Sequence, residues 1–135
     1  MRILLFSDDL ALAEAVSSAL RNRDHELTVE SQARSAGEIL DRGDVGAVIY
    51  DATEPGPVCL SILRQSRHVP SVQHRIGVVA PGDPSRLLEL INEGGVDFCL
   101  PKPVSEEQIA EVLASMELRQ AELQARQEWT QCLET

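Results

Sequence analysis

The sequence predicts an α/β domain built on a doubly wound, five-stranded parallel sheet with helices on both faces. Short apolar runs with β-propensity alternate along the chain with longer segments in which apolar residues recur every three or four positions. Two strands that are connected by a helix packed on the sheet pair in parallel, and the connection is a right-handed crossover. The 135 residues suffice for one such domain and a short extension.

The strands are predicted from their apolar character. Four are nearly continuous apolar runs, typical of strands buried on both faces of a parallel sheet. The second strand alternates apolar and polar residues, as an edge strand does. The predicted strands are residues 2–6, 26–30, 45–50, 75–80 and 96–100.

The helices are predicted from the 3.6-residue period, at residues 10–20, 35–42, 57–68, 84–93 and from Ser105 onward. Glu106 and Glu107 suit the positive N-terminal end of the last helix. Good helix formers then continue through Trp129 with neither Gly nor Pro to stop them. We therefore divide the chain into a domain at 1–116 and a helical extension at 117–135, which is either a solvated linker or a dimer contact.

Composition excludes several classes of function. With 12 basic against 22 acidic residues, the net charge is -10, and direct binding to nucleic acid is not expected because no basic face is present. No apolar run approaches the roughly 20 residues that span a bilayer, and the N-terminus does not resemble a signal peptide. Cys59, Cys99 and Cys132 form no CxxC motif, which fits reduced thiols. We expect a cytoplasmic protein without a membrane partner.

Carboxylates follow the predicted strands where a doubly wound sheet carries its site, at the carboxyl ends. Asp8 and Asp9 come after the first strand, Asp51 after the third, and Lys102 after the fifth. Converging carboxylates repel one another unless a cation lies between them, and oxygen ligands suit Mg²⁺. Asp9 is equally suited to cap the following helix. Neither a GxGxxG nor a P-loop motif supports nucleotide binding.

Lys102 is the one lysine of the chain, among 12 basic residues. A compact ammonium at this position suits a single phosphoryl oxygen better than the planar fork of arginine does. His25, His68 and His74 lie away from the predicted strand ends and are interpreted as surface residues. Phosphotransfer from an internal histidine therefore has no support.

Three motifs together resemble the receiver domains of two-component response regulators, over residues 1 to about 115. The motifs are Ser7-Asp8-Asp9 after the first strand, Val48-Ile49-Tyr50-Asp51 at the end of the third, and Phe98-Cys99-Leu100-Pro101-Lys102-Pro103 after the fifth. The resemblance implies a flavodoxin-like (CheY-like) sheet with strand order 2-1-3-4-5. It also implies a cis Lys102–Pro103 bond.

The resemblance further implies the roles of the site residues. Asp51 would accept a phosphoryl group from a histidine kinase or phosphotransfer protein, and Lys102 would pair with that group. Magnesium would be held by Asp8, with Asp9 as a possible substitute for a missing acid, by Asp51, and by the carbonyl of Thr53. Such a receiver catalyses only its own phosphorylation and dephosphorylation. It often precedes an output domain joined by a helix, and a homodimer is possible.

The sequence departs from the pattern of that family at several positions. Ser7 stands where the first acid is usual, Ala80 where a phosphoryl-binding Thr or Ser is usual, and Cys99 at the aromatic switch position. The loop at 52–57 reads Ala-Thr-Glu-Pro-Gly-Pro. The usual Thr and Tyr switch therefore cannot operate.

Two functions remain open from the sequence. The first is a phosphoryl-accepting receiver that uses Asp51, Mg²⁺ and Lys102. The second is a pseudo-receiver, which binds proteins without being phosphorylated. A phosphatase of the haloacid dehalogenase type is excluded, because its Asp-x-Asp motif would need an acid where Thr53 stands.

Overall fold

The computed structural model describes residues 1–21, 23–53 and 57–134. Its strands are β1 (Arg2–Phe6), β2 (Glu26–Glu30), β3 (Val45–Asp51), β4 (His74–Val79) and β5 (Phe98–Pro101). They form one parallel sheet in the order β2-β1-β3-β4-β5. The predicted fold class and strand order are confirmed.

Helices connect the strands, as α1 (Leu10–Ala19), α2 (Ala33–Asp41), α3 (Pro57–Arg67), α4 (Pro84–Glu89) and α5 (Glu106–Glu134). The fourth predicted helix changes character along its length, because a π-helical turn over Leu90–Gly94 follows α4. This turn places Leu90 in the core, and Gly95 ends it with φ at +65°. A Cβ atom on Gly94 would lie 2.9 Å from Cδ1 of Leu63, so a larger residue at this position would force the Leu63 side chain to shift.

Apolar side chains are buried on both faces of the sheet, because successive residues of a strand point to opposite faces. Ile3 and Leu5 of β1 pack with α1 and α5, whereas Leu4 and Phe6 pack with α2 and α3. The same alternation holds from Ala47 to Tyr50 of β3. The two helical layers hold the sheet rigidly from both sides, which fixes the carboxyl ends of its strands.

Backbone hydrogen bonds continue past the strand ends and position the segments that follow. The N–H of Ala52 donates to the carbonyl of Val78 at 2.7 Å, and the N–H of Lys102 donates to the carbonyl of Val79 at 2.9 Å. Asp51 and Lys102 are therefore held on either side of the end of β4. The Lys102–Pro103 bond is cis, as the resemblance implies.

Two of the three histidines are not surface residues, so that interpretation is corrected. His74 is fully buried, because it alternates with Ile76 and Val78 on the face of β4 that α5 covers. His25 is partly buried, with Nδ1 at 3.1 Å from the amino group of Met1 and Nε2 at 3.0 Å from Glu117. His68 is exposed, as predicted.

Helix α5 runs without a break from the domain into the predicted extension. Ile109, Leu113 and Met116 are buried against the sheet. Just beyond them, Glu117 pairs with Arg23 at 2.7 Å, and Arg119 pairs with Asp97 at 3.3 Å. All side chains from 121 to 133 are exposed, and the boundary at residue 116 stays a prediction. The described helices include none with the length and apolar character of a membrane span.

Candidate functional site

Asp51 ends β3, and its carboxylate is almost fully enclosed by donors. The hydroxyl of Ser7 donates to Oδ2 at 2.7 Å. The hydroxyl of Thr53 donates to Oδ1 at 2.6 Å, and the Thr53 N–H donates to the same oxygen at 3.1 Å. The side chain of Asp51 is only 6% exposed. Its charge therefore depends on protein donors rather than on water.

Lys102 brings a positive charge to this carboxylate from the loop after β5. Its Nζ lies 3.0 Å from Oδ2 of Asp51, 2.6 Å from Oδ2 of Asp9 and 3.2 Å from Oγ1 of Thr53. An ammonium has three N–H donors, and each has an acceptor here. The sequence predicts that Asp8, Asp9 and Asp51 all face Lys102; the structure brings Asp9 and Asp51 to its ammonium and leaves the side chain of Asp8 exposed.

Asp9 both caps a helix and takes part in the site. Its Oδ1 accepts from the N–H groups of Ala11 at 2.9 Å and Leu12 at 3.3 Å, which caps α1. Its Oδ2 is free of that task and pairs with Lys102. Oδ1 therefore fills the capping role, one of the two that the sequence leaves open, and the role of Asp9 as a metal ligand stays a prediction.

The electrostatics keep these groups ionised at neutral pH. Burial by itself raises the pKa of Asp51, but the hydrogen bonds from Ser7, Thr53 and Lys102 outweigh it, and the net pKa is lowered. The hydrogen bond from Lys102 lowers the pKa of Asp9 most strongly. Burial opposes the charge of Lys102, yet its bonds to the two carboxylates raise its pKa overall. Asp51 is thus held as a carboxylate rather than as a neutral acid.

The predicted magnesium ligands are only partly brought together. Asp51 and Asp9 share one cation, which is the ammonium of Lys102, whereas the side chain of Asp8 is exposed. Within residues 1–21, 23–53 and 57–134, no group of three His, Cys, Asp or Glu side chains is arranged to hold a metal. The donor set still fits magnesium chemically, since it is made of oxygens with two negative charges facing one positive charge. The four-ligand set stays a prediction.

The switch positions lie where the strand order places them, next to the site. Ala80 follows β4 directly and is half-buried, and Cys99 lies in β5 opposite Gly77. Burial raises the pKa of the Cys99 thiol, so this residue is a packing thiol rather than a reactive one. Neither side chain offers a hydroxyl. Most of the loop after Asp51, at 54–56, lies outside the described residues.

The sequence did not predict Ser7 and Thr53 as hydroxyl donors to Asp51, nor Arg86 as a neighbour of the site. The Nε of Arg86 donates to the carbonyl of Ala52 at 3.4 Å, beside Asp51 in the chain. The position of Arg86 in the sequence offers one signal. A cation in the first turn of a helix interacts unfavourably with the helix dipole, which suggests that Arg86 has a role outside its own helix. Asp83 caps α4 by accepting from the backbone N–H of Arg86 at 3.1 Å. This bond fixes the backbone position from which the Arg86 side chain extends.

A cleft of about 310 Å³ opens beside Lys102, between the start of α1 and the loop that leads to α5. Its walls are formed by Asp9, Ala11, Leu12, Lys102, Pro103 and Val104. The cleft gives access from solvent to Asp9 and Lys102, whereas Asp51 is not part of its walls.

Comparison with solved structures agrees with this architecture. The signal receiver domain of an HD domain-containing protein from Pseudomonas fluorescens Pf-5 is 25% identical, with a TM-score of 0.74 over 90% of this chain and 97% of that one. The chain has the fold of a response regulator receiver domain. Another receiver of this kind is a CheY-like response regulator receiver domain protein from Methanospirillum hungatei, with 20% identity and a TM-score of 0.68 over 93% and 97% of the two chains.

The receiver fold also matches part of a longer protein. NtrX from Brucella abortus is 18% identical with a TM-score of 0.75, and the match covers 94% of this chain but 29% of that one. No family model and no curated protein sequence matches this chain. The receiver likeness therefore comes from the fold and from the site residues, not from overall sequence similarity.

Proposed function

We propose that this receiver accepts a phosphoryl group on Asp51 from a histidine kinase or a phosphotransfer protein. The observation that carries the proposal is the ionised Asp51 carboxylate, held at the end of β3 by Ser7, Thr53 and Lys102. A side-chain oxygen of Asp51 attacks phosphorus, and the bond from phosphorus to the donor's imidazole nitrogen breaks. The imidazole keeps that electron pair, and Asp51 becomes an acyl phosphate.

Charge compensation is the main contribution of the protein to this transfer. Asp51 is a monoanion before the reaction, and the acyl phosphate carries more negative charge afterwards. Lys102 already lies 3.0 Å from the carboxylate and neutralises part of this increase. Magnesium would be held by Asp51, by Asp8 or Asp9, and by the Thr53 carbonyl, and it would supply further positive charge at the phosphoryl oxygens.

The place of the domain in signalling is part of the same proposal. A receiver relays its state by protein contacts, and α5 leads directly toward any output domain that follows. The longer NtrX chain shows the receiver fold combined with further sequence. A cytoplasmic location and self-association through α5 complete this hypothesis.

The deciding experiment is intact-mass measurement of the full chain after incubation with Mg²⁺ and acetyl phosphate. We expect a gain of one phosphoryl group that is lost in Asp51→Asn. Asp44→Asn is the matched control, since Asp44 is exposed and pairs with Arg2 at the far end of the sheet. If the unmodified chain gains no mass under these conditions, the protein is a pseudo-receiver that acts by binding alone.

A further inference from the structure

We propose that Arg86 is a phosphoryl-binding residue of this site, and that it supplies from α4 the contact that Ala80 cannot make. This inference rests on the proposed phosphorylation of Asp51. It assigns to the chain a donor of a different chemical kind, a guanidinium in place of a hydroxyl, on a different element of the fold.

The donors around Asp51 are unevenly distributed. In the described part of the chain, the side chains that donate to its carboxylate come from the end of β1, the segment after β3 and the loop after β5. The strand that pairs with β3 on its other side is β4. The residue that follows β4 is Ala80, whose methyl group cannot donate. A phosphoryl group on Asp51 would therefore meet no side-chain hydroxyl on the β4 side.

The side chain of Arg86 extends from α4 to the segment that follows β3. Its Nε lies 3.4 Å from the carbonyl oxygen of Ala52, the residue bonded to Asp51. The side chain is only 12% exposed, which is unusual for an arginine on a short surface helix. The cap formed by Asp83 fixes the backbone of Arg86, and the contact of Nε with the Ala52 carbonyl places the guanidinium beside the end of β3.

Two of the partners of Arg86 are ones that a phosphoryl group would outcompete. The Ala52 carbonyl is neutral, and its distance of 3.4 Å is long for a hydrogen bond. Glu89 lies 3.0 Å from Nη1, and its side chain is 48% exposed and can be rehydrated. Arginine binds phosphate oxygens through two parallel N–H donors, and these charge-assisted bonds are roughly twice as strong as neutral ones.

This assignment also changes how phosphorylation would reach α4. A guanidinium that turns to the phosphoryl group leaves Glu89, one helical turn further along. The contact between Arg86 and Glu89 is then broken at the same place where the chain widens into the π-helical turn at Leu90–Gly94. The state of Asp51 is thereby transmitted to α4 by a charged contact, without a rotating aromatic side chain.

The test uses beryllium trifluoride, which mimics a phosphoryl group on a carboxylate, with the full chain and Mg²⁺. Arginine Nε–H signals are followed by ¹H–¹⁵N NMR, and affinity is obtained from the titration. The Nε–H signal of Arg86, assigned by its loss in Arg86→Lys, should shift on binding. Affinity should fall about tenfold in Arg86→Gln and less in Arg86→Lys. Arg64→Gln is the matched control, because Arg64 makes an exposed pair with Glu93, and its affinity should equal that of the wild type.

The outcomes separate this inference from the proposed function. An unshifted Arg86 signal in a wild type that binds the mimic overturns the inference even if Arg86→Gln does not fold, because the assignment needs only Arg86→Lys. Equal affinities of Arg86→Gln and Arg64→Gln, within twofold, overturn it as well, while leaving phosphorylation of Asp51 intact. A wild type that neither binds the mimic nor gains mass with acetyl phosphate overturns both proposals.

Discussion

Replacing Lys102 with Met tests whether the charges at the site are held as the structure describes them. Methionine keeps an unbranched side chain of similar length but removes the ammonium. Asp51 then keeps its hydrogen bonds from Ser7 and Thr53 and loses its only paired cation in the described structure. A charge left without its partner in a buried site is strongly destabilising.

The magnitude follows from the exposure of the two ion pairs. Asp51 is 6% exposed and its pair with Lys102 is 3.0 Å long, so losing this charge-assisted bond costs about 1.5–3 kcal/mol. The side chain of Asp9 is 32% exposed, and a solvated pair of that kind contributes about 0.5 kcal/mol. Part of the cost is recovered by better burial of the apolar Met side chain. We expect the free energy of unfolding to fall by about 2 kcal/mol at pH 7.5.

The loss should depend on pH in one direction. The pKa values of Asp9 and Asp51 are lowered in the folded wild type, so their stabilisation is complete above the ordinary carboxyl pKa of about 3.9 and disappears as the pH falls through their folded values. In Lys102→Met, Asp51 keeps its burial without the cation, and its pKa should rise. The difference between variant and wild type should therefore be largest near neutral pH and shrink toward pH 4.

Urea unfolding followed by circular dichroism at pH 7.5, 6.0 and 4.5 measures this difference. Arg64→Met removes an exposed arginine from its pair with Glu93 and should change stability by less than about 0.5 kcal/mol at each pH. A Lys102→Met loss no larger than that of the control, or one that is the same at pH 7.5 and pH 4.5, would refute the described ionisation of the site.

Three further predictions concern the metal, the buried histidine and the helical extension. Magnesium binding, measured by NMR chemical shifts, should be weak in the wild type, weaker in Asp8→Ala and lost in Asp51→Asn. An Asp8→Ala variant that binds as tightly as wild type excludes Asp8 as a ligand. Burial is the main cause that lowers the pKa of His74, so the free energy of unfolding should decline as the pH falls below about 6.5, by at most about 1.4 kcal/mol per pH unit. In urea titrations, His74→Leu should remove that part of the decline. Sedimentation should show a larger species for the full chain than for one truncated after Met116, because Trp129 is 68% exposed on a helix that the domain does not cover; identical monomer masses would leave α5 a solvated linker.

Much of the fold could be predicted from local patterns. The bounds of β1 and β2 agree with the predicted strands, because apolar runs and alternation report burial directly. Strand β5 begins at Phe98 rather than at residue 96, since the N–H of Val96 instead donates to Leu90 at the end of the π-helical turn. That contact closes the end of the π-helical turn, and the apolar period of the predicted helix does not distinguish such a turn from an α-helix.

The candidate site was predictable in its charges but not in its hydrogen bonds. Strand order brings Asp9, Asp51 and Lys102 together, and the rule that sites lie at carboxyl ends of parallel strands was enough to select them. Ser7 was interpreted only as a missing acid, whereas its hydroxyl donates to Asp51 at 2.7 Å. The direction of a hydroxyl or a guanidinium depends on side-chain packing, so residue type and spacing do not determine it.

The unbroken path of α5 gives the domain a mechanical property. The part of the helix beyond Met116, residues 117–134, has a length of about 27 Å at 1.5 Å per residue. Two contacts anchor it near its base. Glu117 pairs with Arg23 and His25, and Arg119 pairs with Asp97. A tilt of about 5° at this anchor would move the far end by roughly 2.4 Å, by simple lever geometry on that length. A change too small to repack the sheet would thus become a displacement comparable to half the pitch of a helix at the distal end.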